Sequence, residues 1–159
     1  MTTTVLRPLS EMHTALEEAE DQVLAAAHAM LPLVSATMHA LFPTGAFLVI
    51  HGAAGLSDYD ELQLNSVRDA TGTILWDGDS WDGCECFPGP LPAEIAALWH
   101  GAEDPIDPGS VLWLLRRIDF LAPYYHLPEL PEELRHEGEE RRALRCIPIA
   151  PAPAAGETV

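Results

Sequence analysis

The sequence predicts an α+β fold: a long kinked amino-terminal helix packed on a small antiparallel meander sheet, with two or three additional helices covering the rest. Three observations lead there. Apolar residues recur at alternating steps of three and four from Leu9 to Leu33, the period of one helix face. An apolar run from Ala46 to His51 is followed by an alternating stretch around Leu62 and Leu64, the period of strands. Finally, 48% of the 159 residues are apolar and spread along the whole length, enough for one core.

The amino-terminal seam comprises Leu9, Met12, Leu16, Ala19, Val23, Ala26, Met30 and Leu33. Ser10 precedes an acidic turn that begins at Glu11, and Glu17, Glu18, Glu20 and Asp21 favour the half of a helix where the macrodipole is positive. Pro32 has no N–H for the carbonyl of His28, so a kink or a break into two helices is expected there. Beyond it the seam shifts to Val34, Met38 and Leu41, and Pro43 with Gly45 ends it. Unbroken, this element would be about 50 Å long. Its seam could pair with the copy in a second chain, although a pattern this short ordinarily faces the domain interior.

Ala46 to His51, bounded by glycines, reads as a buried strand. Leu62 and Leu64 alternate with Glu61, Gln63 and Asn65 as in a half-exposed second strand that continues through Val67 and Arg68. Asp69-Ala70-Thr71-Gly72 supplies a turn, and Thr73 to Trp76 returns as the third strand. Asp77 to Pro92 is too rich in Asp, Gly and Pro for regular structure. Pro92, Ile95, Leu98 and Trp99 before Gly101 describe a short helix. Asp107 as cap and Pro108 in the first turn open another, Ser110 to Leu121, apolar around most of its circumference and so expected to be heavily buried. Between Pro131 and Arg145, acids precede arginines in the order that suits a surface helix. Leu144 to Ile149 alternates as an edge strand would, at a position where Pro148 is tolerable. Residues 1–149 are thus expected to form one domain, with 150–159 a disordered Pro/Ala-rich tail.

Twenty-five acidic residues face eight basic ones, all arginine, for a formal charge of −17. Such a surface repels phosphate backbones and anionic lipids, so direct nucleic-acid binding and membrane association are not expected. It suits a basic protein partner, or it serves solubility alone. Met1 to Ser10 lacks an apolar core of signal-peptide length, and Val111 to Leu115 is too short to span a bilayer, so a cytoplasmic location with reduced thiols is the expectation.

Several constellations invite chemistry and mostly fail its spacing rules. Asp77, Asp79, Asp82 and Glu85 crowd one loop, but an EF-hand starting at Asp77 would need Gly where Asp82 stands and Glu where Pro88 stands. Cys84 and Cys86, with Cys146 or with His100 and His126, are weak zinc candidates because one intervening residue is shorter than the usual spacing. The acids Asp82 and Glu85 also argue against a redox dithiol. His28 and His39 share a helix face with Glu17, Asp21 and Ser35, a polar stripe whose histidines are too far apart to chelate one ion. His51 ends a strand, yet no Ser or Cys nucleophile motif, glycine-rich phosphate loop or metalloprotease His pair accompanies it.

No catalytic residue and no cofactor is therefore expected. The first reading is a cytoplasmic, non-enzymatic interaction protein that binds a basic protein stoichiometrically, as an inhibitor, immunity factor or nucleic-acid mimic would. Its interacting residues would be Glu17, Asp21, Asp58, Asp60, Glu61, Asp77, Asp79, Asp82 and Trp81. The alternatives are a small-molecule or metal-sensing module with a pocket near His51, Trp76 and the Cys84 loop, and an enzyme of unrecognised type. Homodimerisation through the seam from Leu9 to Leu33 is compatible with each.

Overall fold

The computed structural model describes residues 6–51, 62–78, 86–99, 104–121 and 127–151, the side chains of 119–121 excepted. Its first element, α1 (Leu9–Leu41), is a single helix of 33 residues. It runs through Pro32 without interruption, so the break into two helices does not occur; the lost bond leaves a helix held in place by the burial of Val34, Ala36, Thr37, Met38 and Leu41 just beyond. Pro8 rather than Ser10 occupies the cap position, and no side chain caps the first turn.

Four antiparallel strands follow: β1 (Gly45–His51), β2 (Gln63–Asp69), β3 (Ile74–Asp77) and β4 (Leu144–Pro148), in the spatial order β3-β2-β1-β4. The first three form the expected meander, and β4 adds to the free edge of β1, with Val49 opposite Cys146 and His51 opposite Leu144. The turn between β2 and β3 is built on Asp69, whose Oδ1 accepts from Thr71 N at 2.8 Å, Thr71 Oγ1 at 2.7 Å and Thr73 N at 3.0 Å. Those donors, the Thr71 hydroxyl first, hold the Asp69 carboxyl below its ordinary value. Gly72 closes the turn at φ 87°, a conformation that a side chain would strain.

Alternation along the strands separates two apolar layers. On one face Leu48, Ile50, Leu64, Val67 and Ile147 meet Val34, Met38 and Leu41 of α1. Phe87 fills the same layer edge-on to Phe42 at 5.7 Å and to Trp76 at 4.9 Å. The short α2 (Ala93–Leu98) and α3 (Pro108–Leu121) complete it. Trp99, just past α2, donates its indole N–H to Thr37 Oγ1 at 2.9 Å, and that hydroxyl donates on to Leu33 O at 2.7 Å. In α3, Asp107 Oδ1 accepts from Gly109 N at 2.8 Å as a cap should, and Val111, Leu115 and Ile118 are buried. Trp113 stays 59% exposed, with the Arg117 guanidinium 5.5 Å from its ring.

On the opposite face Val49, Leu144 and Cys146 meet Leu130 and Leu134. The segment bearing those leucines is where a surface helix was expected, and it is instead one 3-10 turn (Glu132–Leu134) followed by turns. Arg68 explains the difference. Fully buried on β2, it donates Nη1 to Leu134 O and Glu139 Oε2, each at 2.8 Å, and Nη2 to Glu139 Oε1 at 2.8 Å. Its remaining donors reach Ser66 Oγ at 2.9 Å and Asn65 Oδ1 at 3.2 Å. A helix through Gly138 could not present a carbonyl and a carboxylate to one guanidinium in this way, and the buried charge decides the conformation.

Candidate functional site

The helix α1 is two objects in one. Ala27 is its first buried residue, 4% exposed, and the stretch before it, apart from Leu24 which packs in part against the core, projects from the domain as an arm about 27 Å long. On that arm Leu9 is 76% exposed, Met12 49%, Leu16 56% and Val23 37%. Leu16 and Val34, like Leu9 and Ala27, are separated by about five full turns, so the exposed seam and the core-facing side of the helix point the same way. The sheet stands under the second half only. Packing inside the domain, the ordinary fate of such a seam, thus fails for Leu9, Met12, Leu16 and Val23 and takes over beyond them, where Leu24 packs against the core and Ala27 and Val34 are buried, because the helix outruns the sheet that it covers.

The rest of the arm's circumference is acidic. Glu11, Glu17, Glu18, Glu20 and Asp21 are all exposed, and α1 contains neither Lys nor Arg. His13 Nδ1 lies 3.4 Å from Glu17 Oε1 in a solvated i,i+4 pair, of the kind that contributes little to stability. One 18-residue window of α1 is long and apolar enough to cross a bilayer, and 28% of that window is buried inside the fold.

Of the acidic residues expected to interact, Glu17 and Asp21 lie together on the arm, four residues apart on one face. Asp77 is exposed at the end of β3, the edge strand farthest from β4. Asp58, Asp60, Glu61, Asp79, Trp81 and Asp82 lie outside the described residues, as does Cys84. Cys86 is exposed, whereas Cys146 is buried between the sheet and the Leu130 segment, its thiol directed at Glu129 O at 3.7 Å. Burial raises the pKa of that thiol and makes it a poor nucleophile. Among the described residues, no three His, Cys, Asp or Glu side chains stand close enough to share a metal ion.

Of the residues expected to border a sensing pocket, Trp76 packs against Phe87 and His51 ends β1 opposite Leu144, while the Cys84 loop lies outside the described residues. A groove of about 380 Å³ lies elsewhere, between α1 and the β4 edge. His28, Leu31, Pro32 and Ser35 form its α1 wall, and Leu127, Pro128, Ile147 and Pro148 face them. Ser35 ties the two walls together: its hydroxyl donates to Pro148 O at 2.7 Å and accepts from Ala150 N at 2.9 Å.

The arginines were not legible as site builders in the sequence. Besides Arg68, Arg116 donates to Leu62 O at 2.9 Å, and Arg135 donates to Leu130 O, Glu139 O and Arg142 O at 3.0–3.1 Å. Arg145 also lies 3.5 Å from the exposed Glu129 carboxylate. Compared with protein-family models, with curated proteins and with solved structures, the chain matches none.

Proposed function

We propose that this protein is a non-enzymatic, cytoplasmic interaction module whose projecting half of α1 is the binding element, and whose acidic face selects a basic protein partner. The observation that carries the reading is the exposed seam Leu9-Met12-Leu16-Val23. Four aliphatic side chains aligned on one face of a helix whose other faces carry carboxylates form the kind of surface that docks against another protein's apolar stripe. The acids on the other faces of the arm would steer a basic partner towards it.

Photo-crosslinking in cells tests this. A photoreactive amino acid at Leu16 or Glu18, on the arm, should give a defined protein adduct, and one at Glu133, on the far side of the sheet, should not. Absence of any protein adduct from the arm, or equal adducts from both places, would overturn the reading.

A second reading, a small-molecule-sensing module, draws on the groove beside Ser35, whose volume of about 380 Å³ falls in the range of ligand pockets. Native mass spectrometry of protein purified from its own cells decides it: an organic mass retained under native conditions and lost on denaturation would favour sensing, and a bare chain would leave the interaction reading in front.

A further inference from the structure

Resting on the reading of the arm as a protein-binding element, we infer that its occupant is a second copy of this chain, paired antiparallel over residues 9–26. The seam keeps a heptad register, with Leu9, Leu16 and Val23 at one core position and Met12, Ala19 and Ala26 at the other. When two such arms run in opposite directions with Leu9 of one copy level with Ala26 of the other, the next layers are Met12 with Val23 and Leu16 with Ala19. Every layer then sets a larger side chain against a smaller one, and the helix separation stays even along the pair. Parallel pairing would stack Leu on Leu, Met on Met and then Ala on Ala, so that the helices would be held apart at one end and leave voids at the other.

Charge points to the same arrangement. Glu11, Glu17, Glu18 and Asp21 lie at positions turned away from the seam, where the repulsion between two chains of charge −17 is screened by solvent. Of the positions flanking the seam, Ala15 and Gln22 are neutral, and antiparallel pairing brings His13 of each copy beside Glu20 of the other, a complementary pair that parallel pairing does not form. A lipid surface is a poorer occupant because interfacial helices carry Lys and Arg on the polar face, and this arm carries neither.

Length fits as well. The arm's seam is open up to Ala26, so residues 9–26 of the two copies can lie side by side over their whole length. Parallel pairing would instead require each helix to occupy the side of the other on which its sheet stands. The paired arms remove on the order of 1,000 Å² from water, near the lower bound for a specific interface, so the dimer should form at micromolar rather than nanomolar concentration.

Sedimentation velocity of the full chain from about 1 to 500 μM tests the inference over the corresponding range of affinity. The mass should rise from the 17.3 kDa of one chain towards twice that value. Leu16→Glu should weaken the dimer by about 100-fold or more while leaving the circular-dichroism melt of the monomer unchanged, since Leu16 touches no core, and Glu133→Gln, on the far side of the sheet, should leave both unchanged. For orientation, in chains lacking Cys84, Cys86 and Cys146, Leu9→Cys should form a disulfide with Ala26→Cys of another copy and not with itself. A chain monomeric throughout, a dimer indifferent to Leu16→Glu, or a Leu9→Cys homodisulfide overturns the proposal. If the chain is monomeric but the arm crosslinks another protein, only the self-pairing fails; if the arm crosslinks nothing, the underlying reading fails with it.

Discussion

Replacing Glu139 by Gln should destabilise the fold at neutral pH by about 2–3 kcal/mol, and the structure gives that magnitude in two ways. The Arg68 guanidinium, fully buried and bonded to both carboxylate oxygens at 2.8 Å, is the main cause holding the Glu139 carboxyl at about 2 instead of the usual 4.5. A preference of that size for the ionised form in the folded state corresponds to at most roughly 3 kcal/mol. Removing one member of a buried ion pair costs about 3–5 kcal/mol in general. The Glu139 side chain keeps 13% exposure and Arg68 keeps three uncharged acceptors, both of which reduce the loss. The substituted amide can accept one N–H but turns its own donor towards the other.

The pH dependence follows from the direction of the shift. A carboxyl depressed in the folded state contributes its full stability above about pH 4.5, and the contribution disappears as pH falls towards 2. Urea denaturation followed by tryptophan fluorescence, at several pH values, should show wild type and Glu139→Gln far apart at pH 7 and converging as the pH approaches 2. A difference below about 0.5 kcal/mol at pH 7, the size of an ordinary surface substitution, would refute the account, as would a difference independent of pH.

Three further outcomes are expected. Gly72→Ala should cost about 1–2 kcal/mol in chemical denaturation, since the residue sits at φ 87° and a Cβ would lie 3.2 Å from Leu134 O. Ser35→Ala should cost about 1 kcal/mol and accelerate hydrogen exchange at the Ala150 amide, which loses its acceptor. Val34→Ala should destabilise the monomer by about 2 kcal/mol, whereas Leu16→Ala on the same face of α1 should change monomer stability by less than about 0.5 kcal/mol, because Val34 is fully buried and Leu16 is 56% exposed.

Periodicity made the four strands, the long helix and the two short helices legible, because each buries one face and the spacing of apolar residues records it. What it could not record is where a helix runs out of sheet: Leu16 and Val34 occupy equivalent positions in the pattern and opposite environments in the fold. The order of charges between Pro131 and Arg145 misled for a related reason. Glu132, Glu133 and Glu137 ahead of Arg141, Arg142 and Arg145 read as a surface helix, whereas Glu139 and Arg135 within that segment are partners of Arg68 and of main-chain carbonyls on the far side of the sheet. Arg68 itself continues an alternating strand and gives no local sign that it will be buried, since its acceptors are Asn65 and Ser66 nearby and Leu134 and Glu139 far along the chain. Only the Asn65-Ser66 pair, two polar residues inside a strand, hinted at a buried polar network.

The arm raises the question of why a helix would extend 18 residues past its own core. Fixing each of those residues costs about 1–2 kcal/mol of backbone entropy, and the domain returns burial only around Leu24. Helix propagation offsets much of that cost: the turn nucleated on the sheet is already formed, and Ala, Leu, Met, Glu and Gln, which dominate residues 9–26, are strong helix formers. The arm can therefore be helical before anything binds it. A docking element ordered in advance loses little conformational freedom on association, so a short seam with modest buried area can still bind usefully. The division of charge along α1 has the same logic: its acids all lie at or before Asp21, where the helix is surrounded by water, and none lies in the half that rests on the sheet. An extension that served only to begin the helix would need neither a continuous aliphatic face nor a charged back, and this one has both.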